Sequence, residues 1–195
     1  MLRRCVRSLH GPSATSVAWA LLPPAIALAL LAALFIFLRG EDEPTVLLRI
    51  DGVDSGLRDK SSAVNASGLR AGFKVWEPGW IIPGLAWQYV DSTRGSSAAL
   101  PRTELAFVNS EEARDRLTIE QSPGFTLSVQ KLIPIPTERS GLALWQIPGP
   151  NTDIHGGVLS QYVAHAGGFQ FVFSFFGPNQ PQPEQVARML RSMRP

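Results

Sequence analysis

The stretch FQFVFSFF, residues 169–176, sets Phe169, Phe171, Phe173 and Phe175 on one side of an extended chain and Gln170, Val172, Ser174 and Phe176 on the other. A side so rich in aromatic rings belongs against a core. Just before it, residues 158–165 alternate in the same way, and Ala166-Gly167-Gly168 supplies the positive φ that a tight reversal requires. Residues 158–165 and 169–176 are therefore predicted to form an antiparallel hairpin.

Working outward from the hairpin, the same period-two texture recurs in 71–77, 85–90, 103–108, 116–121 and 142–147. In 85–90, Leu85, Trp87 and Tyr89 share a face, and in 124–132 Phe125, Leu127 and Val129 alternate with Thr126, Ser128 and Gln130. Both read as strands. Beyond the hairpin the period changes: Val186, Met189, Leu190 and Met193 recur at i, i+3, i+4 and i+7 behind Pro183, which predicts a closing helix over 183–193. Upstream, TVLLRI (45–50) reads as a short first strand. Residues 51–68 are polar and rich in Gly and Ser, so they are expected as a loop or stalk.

The N-terminal part has a different texture. VAWALLPPAIALALLAALFIFL (17–38) is an apolar run of 22 residues without a charge, about 33 Å if helical, long enough to cross a bilayer. It ends in Phe35, Phe37 and Leu38 and not in a small-residue cleavage site, so it is expected as an uncleaved signal anchor. Arg3, Arg4 and Arg7 precede it, while Glu41, Asp42 and Glu43 follow, which places the N-terminus in the cytoplasm and the rest in the periplasm or outside the cell. Ala25, Ala29 and Ala33 fall four apart and form a small-residue face that suits packing on another membrane helix.

The whole chain of 195 residues carries a net charge of +2, yet residues 40–195 hold 14 of the 18 Lys and Arg and all 16 Asp and Glu, a net −2. A nucleic-acid partner is thereby disfavoured. The lone Cys5 lies before the apolar run and excludes a disulfide scaffold and a lipidated cysteine. There is no Gly-x-Ser-x-Gly, no Ser-x-x-Lys and no phosphate loop. Asp153 and His155 offer a carboxylate–imidazole pair, and His165 sits at a hairpin end, but none has the spacing of a metal site. The chain is expected to be no enzyme, with no metal and no cofactor.

The aromatics are the remaining candidates. Trp76, Trp80, Ile81, Trp87 and Trp145 either fill the space under a curved sheet or line a surface for an apolar ligand or a partner protein. The loop WEPGWIIP (76–83) would lie at a membrane interface or close over a cleft.

The strand ending in Pro78-Gly79-Trp80, the segment 117–121 ahead of Pro123-Gly124, the turn Gly167-Gly168 before Phe169, and the ending Met189-Leu190-Arg191-Ser192-Met193 resemble, in their order, anchored outer domains of bacterial signalling proteins. Those are similar to the half-barrel of lipoprotein carriers and of the periplasmic sigma-regulatory sensor. The resemblance implies a curved sheet used for binding, with no catalytic residues. It departs at the N-terminus, where 16 residues before the apolar run leave no room for a sigma-gripping helical domain.

The expected fold is α+β: one N-terminal transmembrane helix plus a curved antiparallel sheet of six to eight strands with a C-terminal helix. The expected parts are a basic stub (1–16), the anchor (17–38), a linker or stalk with a short strand (39–68) and an extracytoplasmic β-rich domain (69–195). The function expected is a single-pass, membrane-anchored binding or sensory domain that meets the lipid bilayer and takes a membrane-protein partner or a lipid-like ligand. The alternative is an accessory or assembly subunit of a larger membrane complex.

Overall fold

The computed structural model describes residues 43–96, 99–109, 115–138, 140–149, 151–152 and 158–195. Glu43–Pro195 forms one compact unit. The first strand, β1 (Thr45–Ile50), turns at Asp51-Gly52 into β2 (Val53–Asp59), which is exposed along its whole length. Helix α1 (Lys60–Ala71) follows directly. The Asp59 side chain accepts from the Ser62 N–H at 2.8 Å, and Gly72 ends the helix in the left-handed region at φ 81°. Its buried residues are Ala63, Val64, Ser67 and Ala71, small enough for the helix to lie close on the sheet.

After a short bridge strand, β3 (Glu77–Pro78), come β4 (Leu85–Thr93), β5 (Arg102–Asn109), β6 (Arg116–Pro123), β7 (Ile133–Ile135), β8 (Leu142–Gln146), β9 (Asn151–Thr152), β10 (Val158–Ala166) and β11 (Phe169–Phe176). Helix α2 (Pro183–Ser192) closes the chain, with β12 (Met193–Arg194) pairing with β3. The main sheet has ten strands. Nine run in the order β2-β1-β4-β5-β6-β11-β10-β8-β7, and β9 pairs with β10. All pairings are antiparallel except β1 with β4, which are parallel. A parallel neighbour requires a crossover connection, and α1 lies within it.

The predicted hairpin is present, with Ala166 opposite Phe169 across Gly167 (φ 56°) and Gly168 (φ 83°). Its register carries one face across the sheet: Tyr162, Phe173, Ile119 and Leu105 lie in one row, and Ala164, Phe171 and Gln121 in the next. This is the covered face. Leu105, Phe107, Leu117, Ile119, Phe171 and Phe173 are fully buried there and share one core with Val186, Met189 and Leu190 of α2 and Ala63 and Val64 of α1. Burial of one such side chain is worth about 1.5–3 kcal/mol.

The expected fold class is thus corrected. Among the described residues strand predominates over helix, the sheet is mixed and has ten strands, and two helices cover it instead of one. The strands of this sheet not expected are β2, β7 and β9, and the exposed β2 carries no burial pattern to betray it. Among the described residues no helix is long and apolar enough to cross a membrane. The transmembrane helix predicted over 17–38, with Ala25, Ala29 and Ala33, lies outside the described residues. Residues 51–68, read as a stalk, form β2 and most of α1. Residues 124–132, read as a strand, run through turns without pairing in the sheet.

Candidate functional site

The sheet has a second face, which neither helix covers. Its rows follow from the same register: Trp145 lies opposite Val163 and Val163 opposite Val172, while Ala143 lies opposite His165 and His165 opposite Gln170. The segment 124–132 lies against this face beside the hairpin. Gly124 donates to the Gly168 carbonyl at 2.9 Å. The buried Gln170 side chain then takes over, its Oε1 accepting from the N–H groups of Thr126 and Leu127, both at 3.0 Å, and its Nε2 donating to Thr126 Oγ1 at 3.0 Å. One amide holds three groups of the segment.

This placement sets the Phe125 ring on the His165 imidazole, with centroids 4.0 Å apart and planes at 36°. Trp145 meets the same imidazole at 4.9 Å and 65°, an edge-to-face arrangement. His165 Nε2 is buried without a hydrogen-bond partner among the described residues. Burial lowers the titration of His165 below the usual range, and a hydrogen bond with Gln170 opposes that in part. The outer surface is apolar: Phe125 is 60% exposed and Leu127 44%. Clustered exposed apolar side chains mark contact surfaces.

Farther along the same face the chemistry is polar. Tyr89 Oη donates to Glu104 and accepts from Arg116 Nη2, while the guanidiniums of Arg49 and Arg116 lie 4.8 and 5.3 Å from its ring centroid. Burial first, and the Glu104 carboxylate second, push the phenol up to about 12. Asp91, Glu104 and Glu120 share one row, and Arg102 lies 3.3 Å from Glu120. The phenol is held as a donor, so it serves cross-strand cohesion.

The structure separates the predicted site residues. Trp76, Trp80, Ile81 and Trp87 all pack against the core on the covered side. Trp76 lies against Phe169 and Phe171 at 6.2 and 5.8 Å, Trp87 against Phe107 at 4.6 Å, and Trp80 under the Arg188 guanidinium at 4.4 Å. Trp145 alone is on the open face, with Phe125, His165 and Gln170, which sequence reading did not select. The signal was in hand as the alternation of Phe125 and Leu127, but it was assigned to a strand face. Asp153 and His155 lie outside the described residues. Among the described residues no group of three or more His, Cys, Asp or Glu side chains converges as a metal site would.

A separate apolar groove of about 780 Å³ opens beside the C-terminal end of α1, walled by Val64, Leu69, Phe73, Val75 and Pro195. Leu69 there is 86% exposed.

No family model matches the chain, and no curated protein matches it. Among solved structures a similar chain is found in the crystal structure of MucB in complex with MucA(peri), at 15% sequence identity and a TM-score of 0.32, covering 73% of this chain and 46% of that one. The chain spans less than half the length of that neighbour. The resemblance to a sigma-regulatory half-barrel goes no further than this weak likeness.

Proposed function

We propose that the domain is a non-enzymatic binding module that takes a partner protein on its open sheet face, and that the apolar run 17–38 tethers it to the cytoplasmic membrane with the domain outside. The observation that carries the reading is the grouping of Phe125, Leu127 and Trp145 on one side of the sheet, held in place by Gln170 and partly open to solvent. Large apolar side chains cost free energy when left in water, and a fixed aromatic cluster with few rotamers to lose is a favourable contact surface for a partner's apolar side chains. The charge pattern around residues 17–38 supports the orientation.

The test is site-specific photocrosslinking in native membranes, with the photoreactive residue placed either at Phe125 or at the exposed Arg94. A discrete crosslinked protein obtained from position 125, not obtained from 94, and lost on Leu127→Asp supports the reading. Equal or absent crosslinking at the two positions defeats it.

A second reading, an apolar ligand in the groove beside α1, is favoured by its volume and by the exposure of Leu69. Mass spectrometry of the purified protein for bound lipid, repeated with Leu69→Glu, decides it. No lipid in either protein removes the idea.

A further inference from the structure

We propose that His165 is an acid-sensitive latch for the partner surface, holding the 124–132 segment on the sheet when neutral and releasing it when protonated. This rests on the reading of that face as a binding surface and names its regulation.

The geometry gives His165 an unusual position. Its imidazole packs against both Phe125, at 4.0 Å, and Trp145, at 4.9 Å. Among the described residues, those set against it are Phe125 from the 124–132 segment, Trp145 and Ala143 from β8, and Gln170 from β11, none of them ionisable. No charged neighbour contributes to its titration, which is moved by burial and by Gln170 alone. A neutral imidazole tolerates this site, because one of its ring nitrogens bears no proton and Nε2 can be that one. A cationic imidazole must carry a proton on Nε2, which is buried and makes no hydrogen bond among the described residues. Contact with the rings offers the cation some return, but it supplies no hydrogen-bond acceptor for the Nε2 proton.

Release of the segment opens the imidazole to water and removes the conflict. The three hydrogen bonds from Gln170 are the other half of the device, since they tie the segment to the strand next to His165. The sign follows from the lowered titration of the closed state. An open-state imidazole titrates near 6.5, so the closed form is fully favoured above that pH and loses ground as pH falls below it. Phe125 and Trp145 then cease to form one surface, and a partner bound across both loses its seat.

The experiment is amide hydrogen exchange of the full chain in detergent micelles at pH 7.5 and 5.5, corrected for intrinsic exchange, read at Thr126 and Leu127. In the wild type their protection should fall severalfold, up to about tenfold, on acidification. In His165→Phe, which keeps the aromatic layer and has no proton to gain, protection should be the same at both pH values. His165→Gln should also be insensitive to pH, which covers the case in which Phe misfits. Gln170→Ala should expose both amides at either pH. Wild-type protection that does not change with pH, or an acid loss that persists in both His165 variants, overturns the latch. No partner enters this measurement, so its failure is distinct from a failure of the crosslinking test.

Discussion

Gln121 and Trp76 are joined through the backbone of one and the side chain of the other: Trp76 N–H donates to Gln121 Oε1 at 2.8 Å, and Gln121 Nε2 donates to the Trp76 carbonyl at 2.6 Å. A fully buried amide on β6 thus replaces a neighbouring strand for a stretch of chain that has none. Gln121→Leu keeps the bulk but strands both backbone groups of Trp76. It should cost about 2 kcal/mol and lower the melting temperature by about 5 °C. A variant that melts with the wild type would show that water satisfies Trp76 equally well.

The two turn glycines should separate sharply. A Cβ on Gly167 would stand 2.7 Å from Cζ2 of Trp76, whereas one on Gly168 meets nothing within 4 Å, and both residues have positive φ. Gly168→Ala should therefore cost only the backbone penalty of about 1 kcal/mol, and Gly167→Ala clearly more. Urea midpoints of the two variants provide the comparison, and equal shifts would mean that the indole yields freely.

Tyr89 should resist alkali. Its phenol is raised to about 12 by burial and by Glu104, so the contribution of this network to stability is present below the ordinary tyrosine range near 10 and is lost as pH climbs through 12. Phenolate absorbance should show no Tyr89 titration until well above pH 10, identified by difference from Tyr89→Phe. Tyr162, also raised by burial, belongs to the same late phase.

Asp59 responds at the other end of the scale. Its carboxylate is held below the usual range by hydrogen bonds from Ser62, so the cap stabilises α1 above about pH 4 and weakens as pH falls through the lowered titration point. Asp59→Asn should remove part of the acid sensitivity of melting while leaving the neutral-pH value nearly unchanged. Asp59→Ala should lower the neutral value as well.

Phe125 and Phe107 test where the energy of folding resides. Phe107 is fully buried and Phe125 is mostly open. Phe107→Ala should cost about 3–5 kcal/mol, and Phe125→Ser no more than about 0.5 kcal/mol. A large loss at Phe125 would make it a structural plug and not part of a contact surface.

What could be read from the sequence was what local chemistry dictates. Two glycines between alternating aromatic strands gave the β10–β11 hairpin, and the 3.6-residue recurrence of Val186, Met189 and Leu190 gave α2. Helix α1 escaped because its inward residues are alanine, serine and one valine, which leave no apolar period. Strand β2 escaped because an edge strand with both faces in water has no alternation to show. In 124–132 the alternation is real, yet the Gln170 amide takes the backbone N–H groups that a strand partner would need. The tryptophans were legible as a set but not by face, since only strand register puts Trp145 on the opposite side from Trp76 and Trp87.

The parallel pairing of β1 with β4 has a kinetic consequence. The β10–β11 turn brings together residues that are neighbours in the chain, so that pairing is fast to nucleate, whereas Leu47 must find Tyr89 with β2 and α1 in between. The order of assembly then runs against the order of synthesis. The first of these strands to be made is among the last to dock, and until β4 and α1 are ready its Val46 and Leu48 stay uncovered.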